Sequence, residues 1–249
     1  SWSPDGKHLV FTGNKGGITD LYVVDVDGKN LRKLTNDKYG DMQPQWSPDG
    51  SMIAFATDRG AGSDLANLHF PHWRIAIYHM DDGSIDLVPG QAGLNINPQW
   101  APDSKSLAWI SDRTGGQNIF LYDLGTSKQY QLTNVVGGVI SVTEYSPALT
   151  WSRDTDEMAF VYYENGQETV WSIANPRLLK REPFDTAAPP VTVALADSAR
   201  AARAAQRPDT LGDTLSYSYY RSGTTFRKSG ALPDSAERTE PVVSVAAIL

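Results

Sequence analysis

The 249 residues carry 22 Lys+Arg against 29 Asp+Glu, a formal charge of −7, with 40% hydrophobic residues, 21 Gly, 15 Pro and no Cys. That length supports one large domain or two small ones around a real core. The lack of Cys excludes disulfides and thiolate metal sites, and no run approaches the ~20 apolar residues of a spanning helix. The acidic excess is concentrated in residues 1–175, with 12 Lys+Arg and 21 Asp+Glu, which argues against nucleic acid as the main partner.

In chain order, the first recognisable element is the phrase SWSPDGKHLVF at residue 1. It returns as QWSPDGSMIAF from Gln45, QWAPDSKSLAW from Gln99 and TWSRDTDEMAF from Thr150. The anchoring residues are Trp2, Trp46, Trp100 and Trp151, spaced by 44, 54 and 51 residues. An aliphatic residue or Met follows each by seven (Leu9, Ile53, Leu107, Met158), and an aromatic follows by nine (Phe11, Phe55, Trp109, Phe160). Those offsets differ by two, the strand period, so both large side chains share one face of a strand. Ser-Pro-Asp-Gly before them is turn chemistry: Pro pre-sets φ at the second position and Gly relieves the fourth of its Cβ. Each phrase therefore predicts a β-hairpin entered by the Trp.

A third strand follows in each copy (DLYVVDVDG, RIAIYHMDDG, QNIFLYDLG, ETVWSIANP), and a short fourth in the first three (NLRKLTN, SIDLVPG, QYQLTN). Four antiparallel strands in roughly forty residues are the length of one propeller blade. The expected fold is all-β, a β-propeller of four-stranded antiparallel blades over about 1–43, 44–97, 98–147 and 148–176. The first copy has almost nothing before Trp2. We expect the four repeats to be part of a larger ring, with a complete four-bladed ring as the alternative. Residues 177–249 read as an Ala/Ser/Pro-rich, mostly irregular linker, with a short helix at 197–207 and a hint of a strand at 214–220.

The phrase W-S-P-D-G, an I-A-F-like run, D-R-x-G, an I-Y-x-x-D-like strand and L-T resembles the TolB-like, WD-like β-propeller repeat. Trp46 to Phe55 with Asp58, Arg59 and Gly60 matches it closely. Trp100 to Trp109 with Asp112, Arg113 and Leu132–Thr133 matches nearly as well. The fourth copy departs, with Arg153 and Asp154 in place of Pro-Asp. The resemblance covers about residues 1–176 and implies a fold more than a function. It implies a periplasmic location in the bacterial cell envelope, with another envelope protein or a peptide as partner. The appended segment resembles proteins in which a propeller precedes an outer-membrane β-barrel.

Chemistry is sparse. No G-x-S-x-G, Walker A or dinucleotide fingerprint occurs, and no catalytic residue or cofactor is expected. Asp25–Gly28 and Asp81-Asp82-Gly83 resemble the start of a calcium loop but lack its later ligands, so they read as hairpin turns. His69, His72 and His79 cluster without the regular spacing of a metal site, and no metal is expected. The informative feature is length. Asp25 and Asp123 each follow their Trp by 23 residues, whereas Asp81 follows Trp46 by 35, an insertion of 12 between second and third strands. That loop opens on the same face as the connection between blades, which is also long at 134–147. Phe70, His72, Trp73, Val139, Ile140 and Tyr145 are the expected anchors of a recognition surface there. The leading expectation is a non-catalytic scaffold that binds a protein or peptide. Alternatives are the substrate-gating propeller of a larger prolyl oligopeptidase-like enzyme and a metal-dependent carbohydrate lyase.

Overall fold

The computed structural model describes residues 1–185, apart from 61, 65–66, 68–69, 141–145 and 165, together with the backbone of Phe226–Ser229. It is built of antiparallel sheets in strict meander order. The first holds β1 (His8–Lys15), β2 (Ile18–Asp25) and β3 (Arg32–Lys33). The second holds β4 (Asp41–Trp46), β5 (Met52–Thr57), β6 (Arg74–His79) and β7 (Ile85–Leu87). The third holds β8 (Asn95–Trp100), β9 (Ser106–Ser111), β10 (Asn118–Asp123) and β11 (Lys128–Gln131). The fourth holds β12 (Leu149–Trp151), β13 (Glu157–Glu164), β14 (Gln167–Ala174) and β15 (Phe226–Ser229). These are four propeller blades; in the first, Trp2 bridges Leu9 beside the three strands. The inner strands of blades 2 and 3 begin at Asp41 and Asn95, ahead of the 44 and 98 read from the sequence. Each carries a bulge at a left-handed residue, Gln43 (φ 55°) and Asn97 (φ 57°), which delays the regular pattern.

The repeated phrase is turn and packing, as its chemistry demands. Gly6 donates to the carbonyl of Ser3 at 3.0 Å and Gly50 to that of Ser47 at 2.9 Å, closing the four-residue turns. Both glycines have positive φ, 68° and 77°. The motif Ser binds the turn twice, its hydroxyl donating to Asp5 or Asp49 at 2.6 Å and accepting the N–H of His8 or Met52 at 2.9 Å. A hydroxyl that both donates and accepts fixes the hairpin entry without tertiary help.

The strand period then decides how blades stack. Trp46, Ile53 and Phe55 all face blade 1, packing on Val10, Leu21 and Val23. Trp100, Leu107 and Trp109 face blade 2, and Trp151, Met158 and Phe160 face blade 3. The surfaces that receive them are small: Ala54 and Ala56 share a buried cluster with Trp109, and Ala108 shares one with Phe160. Large side chains on one face and alanines on the other let successive sheets interdigitate at interior density. In blade 1 the same rule turns Trp2 and Phe11 away from blade 2. Among the described residues no blade covers that side, so Trp2 is 52% exposed and Phe11 half-buried, stacked on Tyr22 at 5.8 Å. A polar relay runs across the inner strands: Gln43 accepts the Asn97 N–H, and Asn97 accepts those of Ala148 and Leu149. Arg153 spans the far side, donating to the carbonyl of Trp2 at 2.9 Å.

The region taken as linker does not leave the propeller at once. After β14 a 3-10 turn, Pro176–Leu179, starts a strap back along blade 3. Arg177 binds Asp103 and Asp156, Lys180 lies 2.9 Å from Asp123, and the Phe184 N–H donates to Gln129 at 2.7 Å. The Phe184 ring meets Phe120 edge-on at 5.2 Å. Further on, β15 pairs with β14 from Val170↔Ser229 to Ile173↔Phe226, giving blade 4 the outer strand that its own repeat lacks. Residues 197–207 and 214–220, read as helix and strand, lie outside the described residues.

Candidate functional site

A meander of four strands has two ends. The Ser-Pro-Asp-Gly turns and the turns between third and fourth strands share one. The loops between second and third strands and the connections between blades share the other. At that second end, between blades 1 and 2, the backbone leaves a cleft of about 340 Å³. Its walls are Gly17, Ile18 and Thr19 from the β1–β2 turn, Lys38 and Gly40 from the blade connection, and Asp58, Phe70, Pro71 and Trp73 from the long loop of blade 2. Phe70 is 52% exposed at the mouth, while Trp73 is half-buried and anchors the loop by packing against two of the buried clusters between blades.

Asp58 lies at the base, only 6% exposed. Its Oδ1 accepts the Gly40 N–H at 2.8 Å. Its Oδ2 accepts no hydrogen bond among the described residues and borders the open space. A Cβ built on Gly40 would sit there, 3.4 Å from Thr19 Oγ1, 3.4 Å from Trp73 Cη2 and 3.7 Å from Asp58 Oδ2. Burial pushes the Asp58 carboxyl above the usual carboxylate range, against the pull of the Gly40 N–H and the Arg59 charge. Lys38, at the rim, is exposed with its ammonium 5.3 Å from the Tyr39 ring centroid.

The six expected anchors separate. Phe70 and Trp73 meet in the cleft. His72, between them, is exposed and does not line it. Val139 is fully buried: it bridges Tyr162 and donates to the Gln117 carbonyl, inside the core joining blades 3 and 4. Gly137 permits this approach, since a Cβ there would run into the Tyr163 carbonyl. Ile140 is half-buried outside the cleft, and Tyr145 lies outside the described residues. Val139 is therefore packing and not a surface anchor. Sequence reasoning noticed Asp58 only as part of the repeat and passed over Thr19 and Gly40, whose sole signal was their place in neighbouring turns. Of the histidines, His8 lies 2.9 Å from Asp25 and His79 3.1 Å from Asp86, while His69 is outside the described residues. Among the described residues no three His, Asp or Glu converge as a metal site would require.

At the opposite end a larger cleft of about 620 Å³ lies between blades 3 and 4. Most of its charges are already paired, Arg177 with Asp103 and Asp156, and Lys180 with Asp123. They hold the strap.

Residues 1–72 match the family model described as TolB beta propeller domain. The repeats are thus similar to those of TolB-type propellers. A TolB homolog from Chlorobium chlorochromatii is 29% identical over 158 residues, 63% of this chain and 31% of that protein. The Tol-Pal system protein TolB of Anaeromyxobacter dehalogenans is 46% identical over 43 residues, 17% of this chain and 10% of that one. An uncharacterised protein of Agrobacterium fabrum is 31% identical over 116 residues, 44% of this chain and 38% of its own length. The chain thus matches well under half the length of these curated relatives. Among solved structures, putative TolB from Agrobacterium tumefaciens superposes with a TM-score of 0.56 at 20% identity, covering 70% of this chain and 60% of that one. TolB from Acinetobacter baumannii gives 0.53 at 19%, covering 74% and 42%. The TolB-like propeller fold is thereby established. Among the described residues no helix is long and apolar enough to cross a membrane, which says nothing of a β-barrel.

Proposed function

We propose that this TolB-like propeller is a non-catalytic scaffold of the bacterial cell envelope that binds a protein or peptide through its loop end. The observation that carries the reading is the cleft between blades 1 and 2, with an exposed Phe70 and a half-buried Trp73 beside open space. Aromatic side chains are costly to leave wet and are the commonest anchors of protein interfaces. The relatives named for the Tol-Pal system support an envelope role, and hence a periplasmic location with a protein partner. Rigid sheets behind the loops suit a scaffold, since the loops are held open without waiting for a ligand.

The test is capture from envelope extract, with the captured protein identified by mass spectrometry and its binding remeasured with purified components. Phe70→Ala should weaken that binding roughly tenfold or more, as expected of a central aromatic anchor. Lys105→Ala, exposed on the opposite end, should leave it unchanged. Equal binding by both variants would sink the loop-end reading.

A further inference from the structure

The loop-end cleft has at its base a carboxylate oxygen that accepts no hydrogen bond among the described residues. Asp58 is more than nine-tenths buried, and one carboxylate oxygen serves the Gly40 N–H while the other faces the cleft without a partner among the described residues. That oxygen opens on the cleft at the base of a side chain otherwise buried, so a donor brought in by a partner replaces only water there. Arg59, its chain neighbour, cannot supply one, because its guanidinium is directed at Asp37 and Asp41. Blade 3 shows what the repeat itself needs. Its equivalent, Asp112, uses Oδ1 in the same way, on the Leu94 N–H at 2.8 Å. That bond ties down the connection between blades and explains one oxygen of each Asp. It does not explain the second oxygen of Asp58 beside Phe70, Pro71 and Trp73, which come from an insertion that blade 3 does not have.

We propose that this cleft receives a single basic side chain, Lys or Arg, from an extended segment of the partner. The proposal rests on the loop-end reading above and names what that surface recognises. The ammonium or guanidinium donates to Asp58 Oδ2, with the Thr19 hydroxyl as a second acceptor. The methylene stem lies against Trp73 and Phe70, whose ring faces favour a cation close by. Gly40 keeps the space open, because any side chain there would occupy it. Long-range charge acts in the same direction: residues 1–175 carry nine more acidic than basic residues, 21 against 12, which draws a basic segment toward the surface. Lys38 opposes this at the rim, but it is solvated and lies over Tyr39, forming no ion pair with Asp58 among the described residues. About 340 Å³ accommodates one long side chain.

The experiment is titration of the whole chain with capped pentapeptides, acetyl-Gly-Gly-X-Gly-Gly-amide, where X is Lys, Arg, norleucine or Glu. Binding is followed by the indole N–H resonance of Trp73, assigned with Trp73→Phe. The Lys and Arg peptides should shift it with saturation, and the norleucine and Glu peptides should not. Asp58→Asn keeps the bond to Gly40 and the shape, yet should weaken the Lys peptide roughly tenfold. Gly40→Ala, at an ordinary φ, should weaken it as well by filling the cleft. Equal shifts from norleucine and Lys, or undiminished Lys binding to Asp58→Asn, would overturn the proposal. A captured partner that is lost with Phe70→Ala but retained by Asp58→Asn would overturn it too, while leaving the loop-end reading in place.

Discussion

In blade 2 the guanidinium of Arg59 lies between Asp41 and Asp37, the latter at 2.5 Å. In blade 3 that of Arg113, equally far beyond its tryptophan, makes no ion pair with a carboxylate among the described residues. Both are almost fully buried, 8% and 4% exposed. Burial works against the Arg59 charge, but its bonds to Asp41 and Asp37 outweigh that and hold its pKa above the usual value. Arg113 has only neutral acceptors, Ser111 Oγ, Gln129 Oε1, Asn95 Oδ1 and the Gly90 carbonyl, and burial holds its pKa down to about 10. It is still a cation at neutral pH. Aromatic faces stand where carboxylates would: Phe120 at 4.5 Å, Phe184 at 5.5 Å and Trp109 at 5.7 Å. The repeat sets where the arginine goes, and the neighbours set what kind of site it becomes. In blade 2 it locks a loop and leaves Asp58 free to face a ligand. In blade 3 it is the socket for the strap.

The sharpest way to break this contrast is Arg59→Met. It strands Asp41, which is fully buried, and should cost about 3–5 kcal/mol of unfolding free energy by urea titration. Burial already pushes the Asp41 carboxyl up despite the pull of Arg59, and removing Arg59 pushes it further. The native form then holds a proton that the unfolded chain has lost, so the penalty should grow as pH rises through that raised pKa and shrink as pH falls. A penalty independent of pH would show that Asp41 takes up no proton when Arg59 is removed. Arg113→Met should cost less, about 1–3 kcal/mol, because it leaves only neutral acceptors behind, and it should show no such acid dependence. A larger loss than for Arg59→Met would reverse the contrast. Smallest is Phe184→Ala, about 1 kcal/mol for one edge-on ring pair and one cation contact. Its readout is local: faster amide exchange at Phe184, whose N–H donates to Gln129, with blade 2 unchanged. If exchange there were unaltered, the ring would not be what seats the strap on Arg113.

Much of the scaffold was legible because it rests on local chemistry. Trp46 with Ile53 and Phe55, and Trp100 with Leu107 and Trp109, announce strand faces by spacing alone. The loop end follows from counting strands, and with it the neighbourhood of Phe70 and Trp73. Val139 was misjudged as surface because its burial depends on Gly137 lying against the Tyr163 carbonyl, a contact between distant segments. Phe184 gave no periodic signal, being one aromatic in an irregular stretch that packs only where Arg113 and Phe120 already stand. The strand at Phe226–Ser229 is paired across roughly fifty intervening residues, and no local pattern encodes a partner that remote.

By itself the sequence determined the blade, since a four-residue turn and a period of two constrain backbone and side-chain direction within ten residues of each repeat tryptophan. Only the tertiary structure decided what each repeated residue does. Whether a buried arginine meets carboxylates or rings, and whether an aspartate borders a cleft, depends on which turns the stacking of blades brings beside it.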